Sequence, residues 1–374
     1  MPRRPKNLGR ECVLLMAKEI RVAIVGLGNC ASTLIQGLTY YRNVGKNDVV
    51  PGLMHTELGG YKISDIRLVA AFDVNKLKIG HDVSEAIWAH PNVAEKFADV
   101  KKLGVEVQAG PILDGVAPHM FNSFHVYGDG TKPVDPAKVL KDSGAQILIN
   151  YLPVGSGEAT RFYAQACLDT GCAMINCIPE FIASDRAWSQ KFADKKLPIA
   201  GDDVKSQFGA TIVHRALVNL MIERGVKIEE TYQLNVGGDT DFENMLDENR
   251  LASKRISKTQ AVTSLSDYPF PTRIGPSDWV SFIGDKKICY IFIRGRKFGD
   301  RPLTLDLKLS VEDSPNSGGV VIDVIRGTRL ALDRGIGGSL DSISSYAFKH
   351  PPVNVPDSIA RQWAQDFVDG KRER

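Results

Sequence analysis

The chain has 374 residues, with 47 Lys and Arg against 44 Asp and Glu and a formal net charge of +3. Its basic residues are dispersed, so there is no electrostatic footprint for nucleic acid. The length exceeds what one hydrophobic core comfortably holds and implies two domains. The longest apolar runs, such as Gln146–Asn150, are strand-sized and far short of the ~20 residues of a membrane helix, so a soluble protein is expected. Six cysteines in so long a chain make no disulfide framework, and the seven histidines form no His-x-x-x-His pair that would suggest a zinc hydrolase.

In chain order, residues 1–18 read as a loose tail. The start is basic but leads into no small-residue cleavage site, which argues against a secretory signal and for a cytoplasmic location. Val22 to Val25 are β-branched or small and uncharged, the pattern of a parallel strand buried on both faces. Gly26, Gly28 and Ala31 then form Gly-x-Gly-x-x-Ala at the opening of a helix: a side chain at Gly26 would obstruct the turn, and one at Gly28 would keep a pyrophosphate from the positive helix end. Asn29 lies in the same turn, as does Cys30, which reads as a small residue packed under the loop, a redox role being the other reading. A second apolar run, Arg67 to Asp73, ends in a carboxylate where a dinucleotide-binding fold places the acceptor for the adenosine ribose, which favours NAD over NADP. The wide separation from the glycines makes residues 40–65 an insertion.

Ser84 to Ala98 has helical spacing broken near Pro91, and Val105 to Gln108 reads as a strand. Val134 to Ser143 is a helix, Gln146 to Tyr151 a strand, Glu158 to Thr170 a helix and Ala173 to Cys177 a strand, with Leu197 to Asp203 repeating the theme. The loop after Tyr151 lies at a strand's carboxyl end, so Asn150, Tyr151 and Pro153 are placed beside the nicotinamide half of the cofactor; an ordinary turn is the alternative. This alternation predicts an α/β fold, a Rossmann-type doubly wound parallel sheet, over 19–203. From 204 to 312, Glu229–Val236, Lys287–Arg294 and Thr304–Val311 alternate apolar and polar residues. They predict a second α+β domain with a mainly antiparallel sheet for catalysis and oligomerisation. The helical pattern Val320–Asp333, within 313–374, returns to the NAD-binding domain.

Lys254 and Lys258 are four apart and share a helix face; unaided, that spacing also fits a solvated face. With Gly201-Asp-Asp-Val-Lys-Ser206 and Tyr346-Ala-Phe-Lys-His350 they suit a phosphorylated, polyhydroxylated substrate, one lysine offsetting phosphate charge while another exchanges protons.

At these residues the chain resembles the myo-inositol-1-phosphate synthases in their shorter bacterial form. The resemblance runs from about residue 20 to 360. It is carried by Gly-x-Gly-Asn-Cys-Ala-Ser32, Val50-Pro-Gly-Leu-Met-His55, Tyr151-Leu-Pro-Val-Gly-Ser156, Gly201 to Ser206, Asn235 to Leu246, Ser253-Lys-Arg-Ile-Ser-Lys258 and Asp313-Ser-Pro-Asn-Ser317. It implies a homotetramer with tightly held NAD that converts D-glucose 6-phosphate to 1D-myo-inositol 3-phosphate (L-myo-inositol 1-phosphate). C5 is oxidised, C6 loses a proton, the enolate closes on C1 and the ketone is reduced, supplying inositol for phospholipids. At matching positions it implies Lys254 as proton shuttle and electrostatic stabiliser near the nicotinamide, Lys258 on phosphate, Lys349 at the C5 hydroxyl, and Asp203 orienting a lysine. Asp241 and Ser206 would contact cofactor or substrate. Lys287 is a further catalytic candidate, with Arg294 as the alternative at a loosely aligned place. Asp313 and Ser314 match positions implicated for a divalent ion (zinc or magnesium), other members using a monovalent cation. Asp239 departs from the usual Asn. A net sugar-phosphate dehydrogenase and a non-catalytic NAD- and phosphosugar-binding relative are the competing readings.

Overall fold

A computed structural model describes residues 18–374 apart from 122 and 129; the expected tail, but for Lys18, lies outside the described residues. The first half runs β1 (Ile20–Val25), α1 (Asn29–Tyr40), a small hairpin β2 (Glu57–Leu58) and β3 (Tyr61–Lys62), β4 (Ile66–Asp73), α2 (Val83–Ala86), β5 (Val107–Ala109) and α3 (Pro136–Asp142). It continues β6 (Ile147–Asn150), α4 (Gly157–Thr170), β7 (Ala173–Asn176), α5 (Arg186–Asp194) and β8 (Pro198–Ala200). The second half runs α6 (Ala210–Glu223), β9 (Lys227–Gly237), α7 (Thr240–Asn244), α8 (Ala252–Thr263), β10 (Thr272–Trp279), β11 (Lys286–Lys297), β12 (Arg301–Glu312), α9 (Pro315–Asp333), β13 (Gly338–Ser339), α10 (Asp341–Ala347) and α11 (Asp357–Val368).

The larger sheet has the order β13-β8-β7-β6-β1-β4-β5, every pairing parallel. Val22 and Ile24 face one core with α1 and α9, while Ala23 and Val25 face another with α3 and α4. That two-sided burial is why β1 reads as an unbroken apolar run. The order reverses at β1, between β4 and β6, and the carboxyl ends of strands at such a switch point open the ligand crevice. The doubly wound sheet expected from the sequence is present, and α9 and β13 join it from the far end of the chain.

The second sheet, β10-β9-β11-β12, is mixed: β9, β11 and β12 pair antiparallel, whereas β10 lies parallel to β9. The sequence reading missed β10, whose run is broken by Gly275-Pro276.

The helix expected over Ser84–Ala98 is a correction: α2 is a single turn. Its Asp82 cap also accepts the amides of Leu103, Gly104 and Val105. Beyond the turn, side chains of α1 hold the backbone in place of helical bonds: Asn29 Oδ1 accepts from Val93 and Ala94, and Gln36 Oε1 from Phe97 and Ala98.

Candidate active site

Gly26 has φ +86°, and a Cβ there would lie 2.6 Å from the Tyr151 carbonyl oxygen, so only glycine lets β1 and β6 come together at the turn. Gly28, by contrast, faces open space. It caps α1 without a side-chain hydrogen bond, and no acidic residue occupies the first turn, which leaves a positive helix end for an anion. Asn29 lines the cavity, but its side-chain oxygen is committed to Val93 and Ala94. Cys30 is part-exposed on the cavity wall, and desolvation pushes its thiol up to about 12, which disfavours the thiolate a redox role needs.

Asp73 has two tasks. One carboxylate oxygen accepts the Leu27 amide at 2.8 Å, and the other accepts Val74 and Asn75 at 2.7 and 2.9 Å. The Lys78 ammonium lies 3.8 Å away, so Asp73 fastens the glycine turn as well as facing the cavity. Tyr151 and Pro153 line the same space. Asn150 does not; its buried amide donates to Asn176 and Thr160 and accepts the Leu152 amide, shaping the loop from behind.

One cavity is lined by residues of both halves of the chain. It runs from the glycine turn to the second sheet, where Lys254, Lys258, Lys287 and Lys349 converge. Helix α8 turns Lys254 and Lys258 inward, both buried, so the solvated-face alternative fails. Lys254 donates to Asp241 at 2.5 Å, Lys287 to Asp313 at 3.0 Å and Lys349 to Asp203 at 2.7 Å. Among the described residues Lys258 has no carboxylate partner; burial and then the neighbouring Lys254, Lys287 and Lys349 hold its pKa well below the usual lysine value. Helix α6 begins at the same place, with Ser206, Ala210 and Thr211 on the cavity wall, Gly209 as a cap without a side-chain bond and no acid in its first turn. Arg294 is remote: it is half-exposed and paired with Glu229 and Glu230.

The acidic side of the cavity is crowded. Asp239 caps α7 by accepting the Asp241 and Phe242 amides, and burial, reinforced by Asp313, Asp241 and Asp285, pushes its carboxyl up to about 8. The Ser314 hydroxyl donates to Asp285 at 2.6 Å. Among the described residues no group of three His, Cys, Asp or Glu is placed to hold a metal ion. Asp313 is already bound by Lys287 and Ser314 by Asp285, so this donor set does not fit the expected divalent cation.

Against known proteins, the chain is 51% identical to the inositol-3-phosphate synthase of Mycolicibacterium smegmatis over 361 residues, 95% of this chain and 99% of that one. The chain belongs to the inositol-3-phosphate synthase family. The synthase of Corynebacterium glutamicum is likewise 51% identical, over 93% of this chain and 98% of its own. A family model described as myo-inositol-1-phosphate synthase matches residues 209–314, the stretch from the cap of α6 to Ser314 that carries Lys254, Lys258 and Lys287. Among solved structures, a myo-inositol-1-phosphate synthase-related protein from Thermotoga maritima superposes with TM-score 0.78 at 25% identity, covering 94% of this chain and 98% of that one. The inositol-3-phosphate synthase of Caenorhabditis elegans shares the fold, with TM-score 0.74 at 15% identity over 95% and 86%.

Sequence reasoning missed Gln233 and Asn244, both buried and both on the cavity wall. Gln233 lies on β9, whose buried positions Thr231, Gln233 and Asn235 are polar while Tyr232 and Leu234 point to solvent.

Proposed function

We propose that the chain is an NAD-dependent isomerising cyclase that converts D-glucose 6-phosphate to 1D-myo-inositol 3-phosphate. The observation that carries this reading is the meeting, in one cavity, of a dinucleotide-type glycine turn with a lysine cluster and a second open helix end. The residues fit NAD: the uncapped end of α1 suits the pyrophosphate, Asp73 the adenosine ribose, and Tyr151 and Pro153 the nicotinamide half. Ser206, Asp241 and Lys254 extend that wall toward the substrate. NAD bound there would supply the hydride acceptor for C5 oxidation and the hydride donor for the reduction after ring closure.

Lys258 and the amino end of α6 seat the phosphate, because an ammonium without a carboxylate partner and unsatisfied helix N–H groups both call for an anion. Lys349 takes the proton of the C5 hydroxyl as C5 is oxidised and gives it back on reduction, held toward the cavity by Asp203. Lys254 and Lys287 carry positive charge to where the enolate oxygen forms, and Lys254 moves the proton between C6 and the closing ring. No step is assigned to a metal or monovalent cation, Lys287 already supplying the charge at Asp313.

Assembly as a homotetramer, a cytoplasmic location and a role in phospholipid supply belong to the same proposal. Tyr232, Leu234 and Tyr290 stand exposed on the outer face of the second sheet, an apolar patch suited to a subunit contact. No helix of the described residues is long and apolar enough to cross a membrane.

With NAD held far below glucose 6-phosphate, conversion should run to completion. A halt after one equivalent of NAD marks a net dehydrogenase instead.

A further inference from the structure

Asn244 ends α7 and is 1% exposed, yet it lines the cavity. Its Nδ2 donates to the Val154 carbonyl at 2.9 Å. A carbonyl only accepts, so this bond fixes which end of the amide is nitrogen and makes Oδ1 the free end. Oδ1 is buried and has no hydrogen-bond partner among the described residues. A buried acceptor left unpaired is unfavourable until a donor reaches it.

A ligand in the cavity that Asn244 lines can bring that donor. Phosphate oxygens at neutral pH only accept. Val154, which Asn244 holds, ends a run of cavity-lining residues, Tyr151, Leu152, Pro153 and Val154, a largely apolar surface that suits a flat ring carrying a polar edge. That same Val154 carbonyl also accepts from Arg250 Nε at 3.0 Å, so the loop that forms this wall and the amide that faces it are held together.

We propose that Asn244 Oδ1 accepts a hydrogen bond from the carboxamide NH2 of the nicotinamide ring, and so makes the site select a nicotinamide from a nicotinic acid dinucleotide. The inference rests on the NAD reading above. In the acid form the NH2 is replaced by a carboxylate oxygen, which would meet Oδ1 acceptor to acceptor.

The test is calorimetric binding of NAD and of its deamidated acid analogue to wild-type full-length protein, Asn244→Ala and Asn244→Asp. Any charge of the site that acts on the acid's carboxylate is common to all three and cancels when affinity ratios are compared. The NAD-to-acid affinity ratio should fall about tenfold in Asn244→Ala, the size of one lost hydrogen bond to a buried acceptor. It should rise in Asn244→Asp, whose carboxylate accepts from the amide and repels the acid, while both ligands bind more weakly because aspartate cannot donate to the Val154 carbonyl. Arg250→Ala loosens the same loop without facing the cavity, and should weaken both ligands with the ratio unchanged. A ratio in Asn244→Ala equal to that of the wild type overturns the inference and points the acceptor at a ribose hydroxyl. Failure of the wild type to bind NAD at all overturns the cofactor reading itself.

Discussion

Lys349 Nζ lies 2.7 Å from Asp203 Oδ1, and the backbone N–H of Lys349 donates to the Asp203 carbonyl, also at 2.7 Å. Asp203 sits at φ +62° and accepts the Ser257 hydroxyl with its other carboxylate oxygen. A residue in left-handed backbone, three residues past β8, thus aims a lysine from a distant segment while bracing α8.

That relationship predicts the effect of Asp203→Asn. Asparagine tolerates positive φ and can keep the Ser257 bond, so folding should be little changed. Losing the charge that orients Lys349 should lower kcat by roughly 10–100-fold with KM nearly constant, and Lys349→Ala should lower it by the ~10²–10⁴-fold of a lost general acid or base. Steady-state kinetics with circular dichroism decides; an unchanged kcat in Lys349→Ala removes that lysine from the chemistry.

Lys258 should behave differently. Its loss removes binding common to ground and transition states, so Lys258→Ala should chiefly raise KM, by about ten- to a hundredfold for a charge-assisted bond. A dianionic phosphate stabilises the ammonium, so the complex holds a proton that the free site, with its lowered pKa, releases more readily. Substrate affinity of the wild type should therefore weaken as pH rises through that lowered pKa. Lys258→Arg, charged throughout, should show no such trend; pH-dependent KM values with parallel trends in both proteins would contradict the phosphate assignment.

Asp73→Ala should weaken NAD binding by about 1.5–3 kcal/mol if charged-acceptor bonds to the ribose are lost. It also leaves the Leu27, Val74 and Asn75 amides without their acceptor. Thermal stability of the NAD-free protein should fall as well, a cost that the strand pattern alone did not disclose. Unchanged NAD affinity by calorimetry would show that the second strand is wrongly assigned to the ribose.

Asp239→Asn should stabilise the fold, because it removes a buried carboxyl crowded by Asp313, Asp241 and Asp285. Burial and the neighbouring carboxylates push the folded carboxyl up to about 8, above its unfolded value, so the folded state holds the extra proton between those values and stability declines as pH rises across the window. The gain from Asn should be absent near pH 4, grow through neutrality and level off above pH 8. Asparagine caps a helix as well as aspartate does. Denaturation at pH 5 and pH 9 giving equal gains would refute the linkage.

The glycine turn, Asp73 and the lysine-bearing segments were legible because each depends on residue type at short spacing. What decides their use was not. The four-residue spacing put Lys254 and Lys258 on one face of α8 but could not say that the face turns inward. On β9 the alternation is plain, yet the usual assignment of apolar residues to the core is reversed: Thr231, Gln233 and Asn235 line the interior, and Tyr232 and Leu234 face out. A strand that borders a polar site inverts the rule that locates a hydrophobic core. The segment after α2 misled for a related reason, its helical spacing being overridden by Asn29 and Gln36, which claim its amides from α1.

The most direct measurement follows glucose 6-phosphate by phosphorus NMR while NADH absorbance is recorded in the same sample. Cyclisation with a returned hydride predicts that the substrate resonance is replaced by that of myo-inositol 3-phosphate over many turnovers per bound NAD, with no net growth of NADH. NADH rising one for one with substrate consumed, or binding of glucose 6-phosphate with no new resonance, would contradict it.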